Sequence, residues 1–230
     1  MSGATGGAIG GPILALDASS AACSVALMRG SQILAWREAP MDRGHAEALM
    51  PLVMEVMREA RLAFGDLAKI AVGVGPGSFT GIRIALAAAR GIALAARRPV
   101  VGIDSFNAVA AAIPPGEIAG RSLLVVIESK RVELFGQYFD PALRVQGEPL
   151  VLPAEALLQH RPAGALLVAG DGAVRLPVSA DTMRARSAGR PDARAIARLA
   201  QEGRAIVSAR PLYLRSADVT LPKPRGEAGQ

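Results

Sequence analysis

Apolar positions along this chain fall into two rhythms. Short unbroken runs at residues 13–16, 70–74, 99–103, 122–127 and 165–169, each bounded by turn residues, predict buried strands. Residues 23–28 and 32–36, joined by a turn at Arg29-Gly30-Ser31, predict two more strands and with the first make a three-stranded antiparallel opening. Residues 47–61 have helical period, with Leu49, Leu52, Val53, Val56 and Ala60 on one face and Pro51 either in the first turn or at a kink. Strand 70–74 empties through Gly75-Pro76-Gly77 into a long small-residue helix entered at Ser78 and reaching Leu94. Asp104-Ser105 opens a helix to about residue 113, broken by Pro114-Pro115-Gly116.

From Arg121 the pattern starts again, with strands at 122–127, 131–139 and 147–152, a helix at 153–160, a strand at 165–169 and a helix at 193–202 capped by Asp192. Two successive runs of antiparallel strands followed by helix and strand predict a duplicated α/β lobe. The expected division is a disordered glycine-rich start (1–11), a first lobe (12–104), a second lobe (105–222, with 211–222 free to return to the first) and a tail (223–230).

Both long helices of the first lobe have more apolar surface than one core needs. Met50, Met54 and Met57 recur at i, i+4, i+7, roughly 100° around from the leucine-valine face. Adaptable methionines suit a partner helix, or a wide face buried against a neighbouring helix of the same chain. In the second helix Arg83, Arg90 and Arg97 form nearly the whole polar stripe, with Ile82, Ala85 and Ala89 on one flank and Ile84, Ala88 and Gly91 on the other. Such a helix packs closely on more than one side.

Composition narrows the functional classes. Only 3% of the 230 residues are aromatic, which argues against a stacking surface for single-stranded nucleic acid. The net charge of +6 comes from 23 arginines and three lysines scattered among 20 carboxylates; residues 183–190 are the best local basic run, with a solvated loop as the plainer reading. A lone cysteine, Cys23, fits a reducing compartment, and His45 and His160 have no metal-ligand spacing. No signal peptide or membrane span is expected, and the expected location is cytoplasmic.

The glycine turn lacks the lysine of a P-loop. It is a nearer miss to a dinucleotide fingerprint, with Thr80 where the third glycine belongs and Asp104 near the acidic position. Asp17, Gly75, Gly77 and Ser78 are the candidate phosphate or nucleotide residues, Asp17 being equally suited to cap a turn. His45 beside Asp42 and Glu47 reads as a proton relay or as a structural histidine at a helix start. Ser78 has no convincing base, so no catalytic residue and no metal ligand set is assigned.

Four stretches carry a resemblance to a known family: 14–19, 44–52, Gly73-Val74-Gly75-Pro76-Gly77-Ser78-Phe79-Thr80-Gly81-Ile82-Arg83, and Pro211-Leu212-Tyr213-Leu214-Arg215. Spanning residues 12–222 in order, they are similar to the TsaB (YeaZ) family of bacterial tRNA threonylcarbamoyladenosine biosynthesis proteins. The resemblance implies an α/β fold of the actin-like, sugar-kinase and Hsp70 superfamily, two ribonuclease-H-like lobes with mixed sheets. It also implies a non-catalytic scaffold that pairs with the catalytic subunit TsaD and, with the ATPase TsaE, supports threonylcarbamoylation of adenosine 37 in tRNAs reading codons that begin with A. ATP and a divalent metal are then expected on the partner subunits, none on this chain alone, tRNA through the complex, and a homodimer where TsaD is absent.

Carried over by position, the implied pairing surface comprises Leu49, Met50, Val53, Met54 and Met57 of the first helix and Ile82, Arg83, Leu86, Ala89 and Arg90 of the second. Two other functions stay open: a stand-alone nucleotide-dependent phosphotransferase or ATPase of the same superfamily, and a glycoprotease. Where many family members open the second lobe's hairpin with an acidic-alanine-arginine run, this chain has Ile127-Glu128-Ser129-Lys130-Arg131, to which no role is assigned.

Overall fold

The computed structural model describes residues 10–187 and 189–214. Residues 1–9 of the expected disordered start, the tail and residues 215–222 lie outside them. In chain order come β1 (Ile13–Ser20), β2 (Ala22–Arg29), β3 (Gln32–Pro40), α1 (His45–Glu59), β4 (Lys69–Gly73), α2 (Phe79–Ala96), β5 (Val100–Ile103), α3 (Ser105–Ala112) and α4 (Pro115–Ile118). They are followed by β6 (Ser122–Ile127), β7 (Leu134–Phe139), β8 (Val145–Leu152), α5 (Ala154–Gln159), β9 (Leu166–Ala169), β10 (Thr182–Arg184), α6 (Ala193–Glu202) and β11 (Ile206–Val207).

The strands form two mixed sheets, ordered β11-β5-β4-β1-β2-β3 and β10-β9-β6-β7-β8. In each, three antiparallel strands (β1 to β3, β6 to β8) are extended by two parallel ones (β4 and β5, β9 and β10). The duplication expected from the repeating pattern is therefore present as two ribonuclease-H-like lobes. β1 has all eight residues buried because it lies inside its sheet with both faces covered, and this is why it reads as an apolar run rather than an alternation. Leu14, Leu16 and Ala18 pack with α1 and α2, while Ile13 and Ala15 pack with α6.

Three expectations need correcting. Helix α6 was assigned to the second lobe, but Ile196, Ala197, Leu199 and Ala200 join the core on the far face of the first sheet, and β11 then pairs with β5. The chain thus returns to the first lobe near residue 193 rather than 211; a local apolar stripe says that a helix buries one face, not which sheet it covers. The strand expected at 131–139 begins only at Leu134, because the carbonyls of Arg131 and Val132 accept hydrogen bonds from Arg175 instead of joining a ladder. And Pro51, expected in the first turn of α1 or at a kink, lies inside the helix past its first turn, which removes the first of those placements.

The lobes differ in how the parallel strands are connected. In the first, the crossovers contain the 15-residue α1 and the 18-residue α2. In the second they are reduced to the six-residue α5 and a 3-10 turn, Asp171–Arg175. α2 is the helix among the described residues long and apolar enough to cross a bilayer. Here it packs on β1 and β4, with Ile82, Ala85, Leu86 and Ala89 in the core.

Candidate functional site

Helices α1 and α2 are parallel by topology. α1 leads from the end of β3 to the start of β4 and α2 from the end of β4 to the start of β5, and all three strands point the same way. Their solvent face is apolar. Met50 is 39% exposed, Met54 54% and Leu94 83%, with Ala87 and Gly91 open beside them. A side chain added at Gly91 would meet nothing within 4 Å. An exposed stripe of methionine, alanine, glycine and leucine along two packed helices is a surface onto which further helices can be laid.

The ten residues assigned to the pairing surface are divided by the structure. Only Met50 and Met54 present side chains freely to solvent. Leu49, Val53, Met57, Ile82, Leu86 and Ala89 are at most 3% exposed and belong to the first lobe's own core. Arg83 and Arg90 are exposed but hold the chain's C-terminal segment. Arg83 Nε donates to the Tyr213 hydroxyl (2.9 Å) with its guanidinium 3.7 Å from the Phe79 ring centre, and Arg90 donates to the Ala209 carbonyl (2.6 Å). A 3.6 period identifies faces but not which of two apolar faces the sheet takes. Ala87, Gly91 and Leu94 were missed as surface residues for that reason.

Residues 208–214 form a strap along α2. The Leu212 N–H donates to the Val74 carbonyl (2.8 Å), the Tyr213 ring lies 4.8 Å from that of Phe79, and Leu214 packs against the second lobe's core. The strap closes one side of a cavity of about 630 Å³ between the lobes. Ser19, Ser20, His45, Gly77, Ser78, Phe79 and Thr80 line it from the first lobe, and Glu128 to Arg131, Phe135 and Asp171 from the second. The loop at 128–131 without an assigned role is thus a wall of this cleft. Asp171 was not singled out in the sequence; its one local signal is the turn-forming Gly170-Asp171-Gly172 after a strand.

The candidate phosphate residues do not converge. Gly77 and Ser78 line the cleft; Asp17 and Gly75 do not. The Ser78 N–H donates to the Ser19 carbonyl (2.7 Å), and its hydroxyl accepts from the Gly81 N–H (3.2 Å) as the N-cap of α2. Gly77 and Gly81 are needed for close approach, since a Cβ there would lie 2.3 Å from the Ser19 carbonyl oxygen and 1.8 Å from that of Ala18. The glycine turn therefore seats a helix on a strand. Asp104, the acidic position of the dinucleotide reading, caps α3 through Asn107. His45 Nε2 donates to the Ser20 carbonyl (3.0 Å), the structural role. In the basic run, Arg184 donates to the carbonyls of Ala173, Val174 and Leu176, and Arg190 pairs with Glu38. Among the described residues no group of three or more His, Cys, Asp or Glu side chains is placed to hold a metal.

Asp17 is 1% exposed, and among the described residues its carboxyl accepts hydrogen bonds only from the Ser19 N–H and hydroxyl. Burial pushes its pKa up to about 6, with the fields of Asp192 and Asp171 adding to the rise. Burial likewise pushes Asp171 to about 6. Since the folded chain binds these protons more tightly than the unfolded one, the contribution of both groups to stability is complete below about pH 4 and lost as pH rises through about 6. Asp17→Asn should therefore stabilise the chain at pH 8 by about 3 kcal/mol, at about 1.4 kcal/mol per pKa unit, and leave it nearly unchanged at pH 4. Urea denaturation of both proteins at the two pH values checks this; a variant less stable at pH 8 would mean that the charge itself supports the fold.

Comparison with known proteins follows the same outline. The family model "TsaD: tRNA N6-adenosine threonylcarbamoyltransferase" matches residues 39–211. The Escherichia coli tRNA threonylcarbamoyladenosine biosynthesis protein TsaB is 37% identical over 98 residues, 43% of this chain and 42% of that protein. The match thus spans less than half of that relative. An uncharacterized Mycobacterium tuberculosis protein is 32% identical over 160 residues, 69% of this chain and 71% of its own. In structure, YeaZ from Pseudomonas aeruginosa superposes with a TM-score of 0.74 at 30% identity, covering 89% of this chain and all of that one.

Proposed function

The chain belongs to the TsaB (YeaZ) family, built on the plan of the TsaD family model, and from this we propose that it is the non-catalytic scaffold subunit for threonylcarbamoylation of adenosine 37 in tRNA, pairing with a TsaD-family catalytic subunit and working with TsaE. The observation that carries the reading is the uncovered apolar face of α1 and α2. A chain that buries 57 hydrophobic residues among those described, yet leaves Met54 half exposed and Leu94 almost fully exposed on adjoining helices, has a surface suited to another protein. The cleft supports the same reading: its loop glycines are engaged in packing, and the serine hydroxyls of Ser19 and Ser78 are engaged with Asp17 and Gly81.

TsaD, TsaE, tRNA and a homodimer in TsaD's absence are the partners of this proposal. ATP and a divalent cation would be held by the other subunits. The test is sedimentation of the purified chain with the TsaD-family protein of its own organism. A one-to-one complex, with tRNA modification that requires both proteins, is the expected result. Modification by the TsaD-family protein and its ATPase at full rate without this chain would overturn the scaffold role.

A further inference from the structure

The pairing face ends in charge. Because α1 and α2 run parallel, both C-termini lie at the same end of the first lobe, where Arg98 donates a hydrogen bond to the Gly65 carbonyl. On α1 the exposed stripe runs Met50, Met54, Arg58, Arg61, and on α2 it runs Ala87, Gly91, Leu94, Arg98, with Arg97 beside it. Nearby carboxylates are turned elsewhere. Glu55 and Glu59 reach Arg37 of β3 at 3.4 and 2.5 Å, and Asp66 accepts from the Ala63 N–H at 2.8 Å. Among the described residues, Arg58, Arg61 and Arg97 have no carboxylate within ion-pair distance.

We propose that this arginine pole recognises a cluster of carboxylates on the helix pair of the TsaD-family partner and so sets the direction in which the two faces meet. The inference rests on the pairing reading above. Helix C-termini favour cations, which explains arginines at these ends but not their alignment with the apolar stripes. A partner built on the same plan carries its own parallel helix pair, and helix N-termini favour carboxylates for the same dipole reason. In this chain that end carries Glu47, exposed in the first turn of α1, whereas α2 has no acidic residue in its first turn and its Arg83 there is engaged with Tyr213. Head to tail, the pole meets the partner's acidic ends; side by side in parallel, it meets cations and is repelled.

The test measures affinity for the TsaD-family protein between 50 and 500 mM NaCl, using wild type, Arg58→Glu with Arg97→Glu, and Met54→Glu. Both arginines are exposed, and thermal melts of each variant establish that it is folded. The expected result is wild-type affinity that falls with salt, and a double variant at least tenfold weaker at 50 mM with a flattened or inverted salt slope. A double variant that binds with wild-type affinity and slope, while Met54→Glu does not bind, would overturn the pole and leave the pairing intact. If the double variant pairs normally but its complex loses affinity for tRNA, the pole contacts RNA phosphates and the inference is overturned. Absence of pairing by wild type would overturn the pairing reading and this inference together.

Discussion

Replacing Gly81 by alanine should destabilise the chain by about 3 kcal/mol, while the same replacement at Gly91, ten residues along the same helix, should stabilise it by about 0.5–1 kcal/mol. Intrinsic propensity alone favours alanine over glycine inside a helix by roughly 1 kcal/mol at either site. What differs is the surroundings. A Cβ on Gly81 would stand 1.8 Å from the Ala18 carbonyl oxygen, a backbone atom of the central strand β1, so α2 must lift from the sheet or β1 must bend. Either movement loosens the contact made by the Ser78 N–H with the Ser19 carbonyl and the packing of Ile82 and Ala85 beneath it. At Gly91 the added methyl meets nothing. Urea denaturation of the two variants and wild type, compared at equal m-value, measures both signs. Equal stabilisation at the two sites would mean that α2 does not sit against β1 as closely as the structure has it.

Met54→Glu should weaken association with the TsaD-family partner roughly 100-fold or more, about 3 kcal/mol, and leave the melting temperature of the isolated chain within a few degrees of wild type. Met54 is 54% exposed, so a carboxylate there stays hydrated in the free chain and becomes an unpaired buried charge only when a partner covers it. Leu86→Glu is the informative contrast. Leu86 is 2% exposed within the cluster formed by α1, α2 and the first sheet, and exchanging it for glutamate should cost about 5 kcal/mol or more, enough to unfold a domain of ordinary stability. Both substitutions would abolish pairing in a pull-down, for unrelated reasons. Circular dichroism melts beside sedimentation velocity separate them. A Met54→Glu chain that is folded and still pairs would move the interface off this face.

How far residues alone lead differs between the lobes and the site. The strand limits at β6, the helix limits at α6 and the capping roles of Ser78, Asp104 and Asp192 were legible, because caps and short apolar runs act over a few residues. The surface proposed for pairing was half legible. The methionine stripe announced itself by its spacing, but its third member, Met57, turned inward, while Leu94, the most exposed large apolar side chain of the pair, was not singled out. The cleft was scarcely legible at all. Its walls come from residues 19–20, 76–80, 128–131, 171 and 212–214, which nothing in local sequence connects.

By itself, then, the sequence determined two α/β lobes, an aliphatic core poor in aromatic residues, two small-residue amphipathic helices in the first lobe and the family to which they belong. Each of these is written in periodicity, capping or a contiguous motif, all short-range quantities. Only the tertiary structure decided which apolar face each helix buries, that α6 crosses back to the first sheet, and that the arginines of α2 bind the C-terminal strap. It also decided that the glycine turn seats a helix on β1. Those outcomes depend on which surfaces compete for the same sheet, and that competition is between segments far apart in the chain, such as Ile13 and Ile196 in one core.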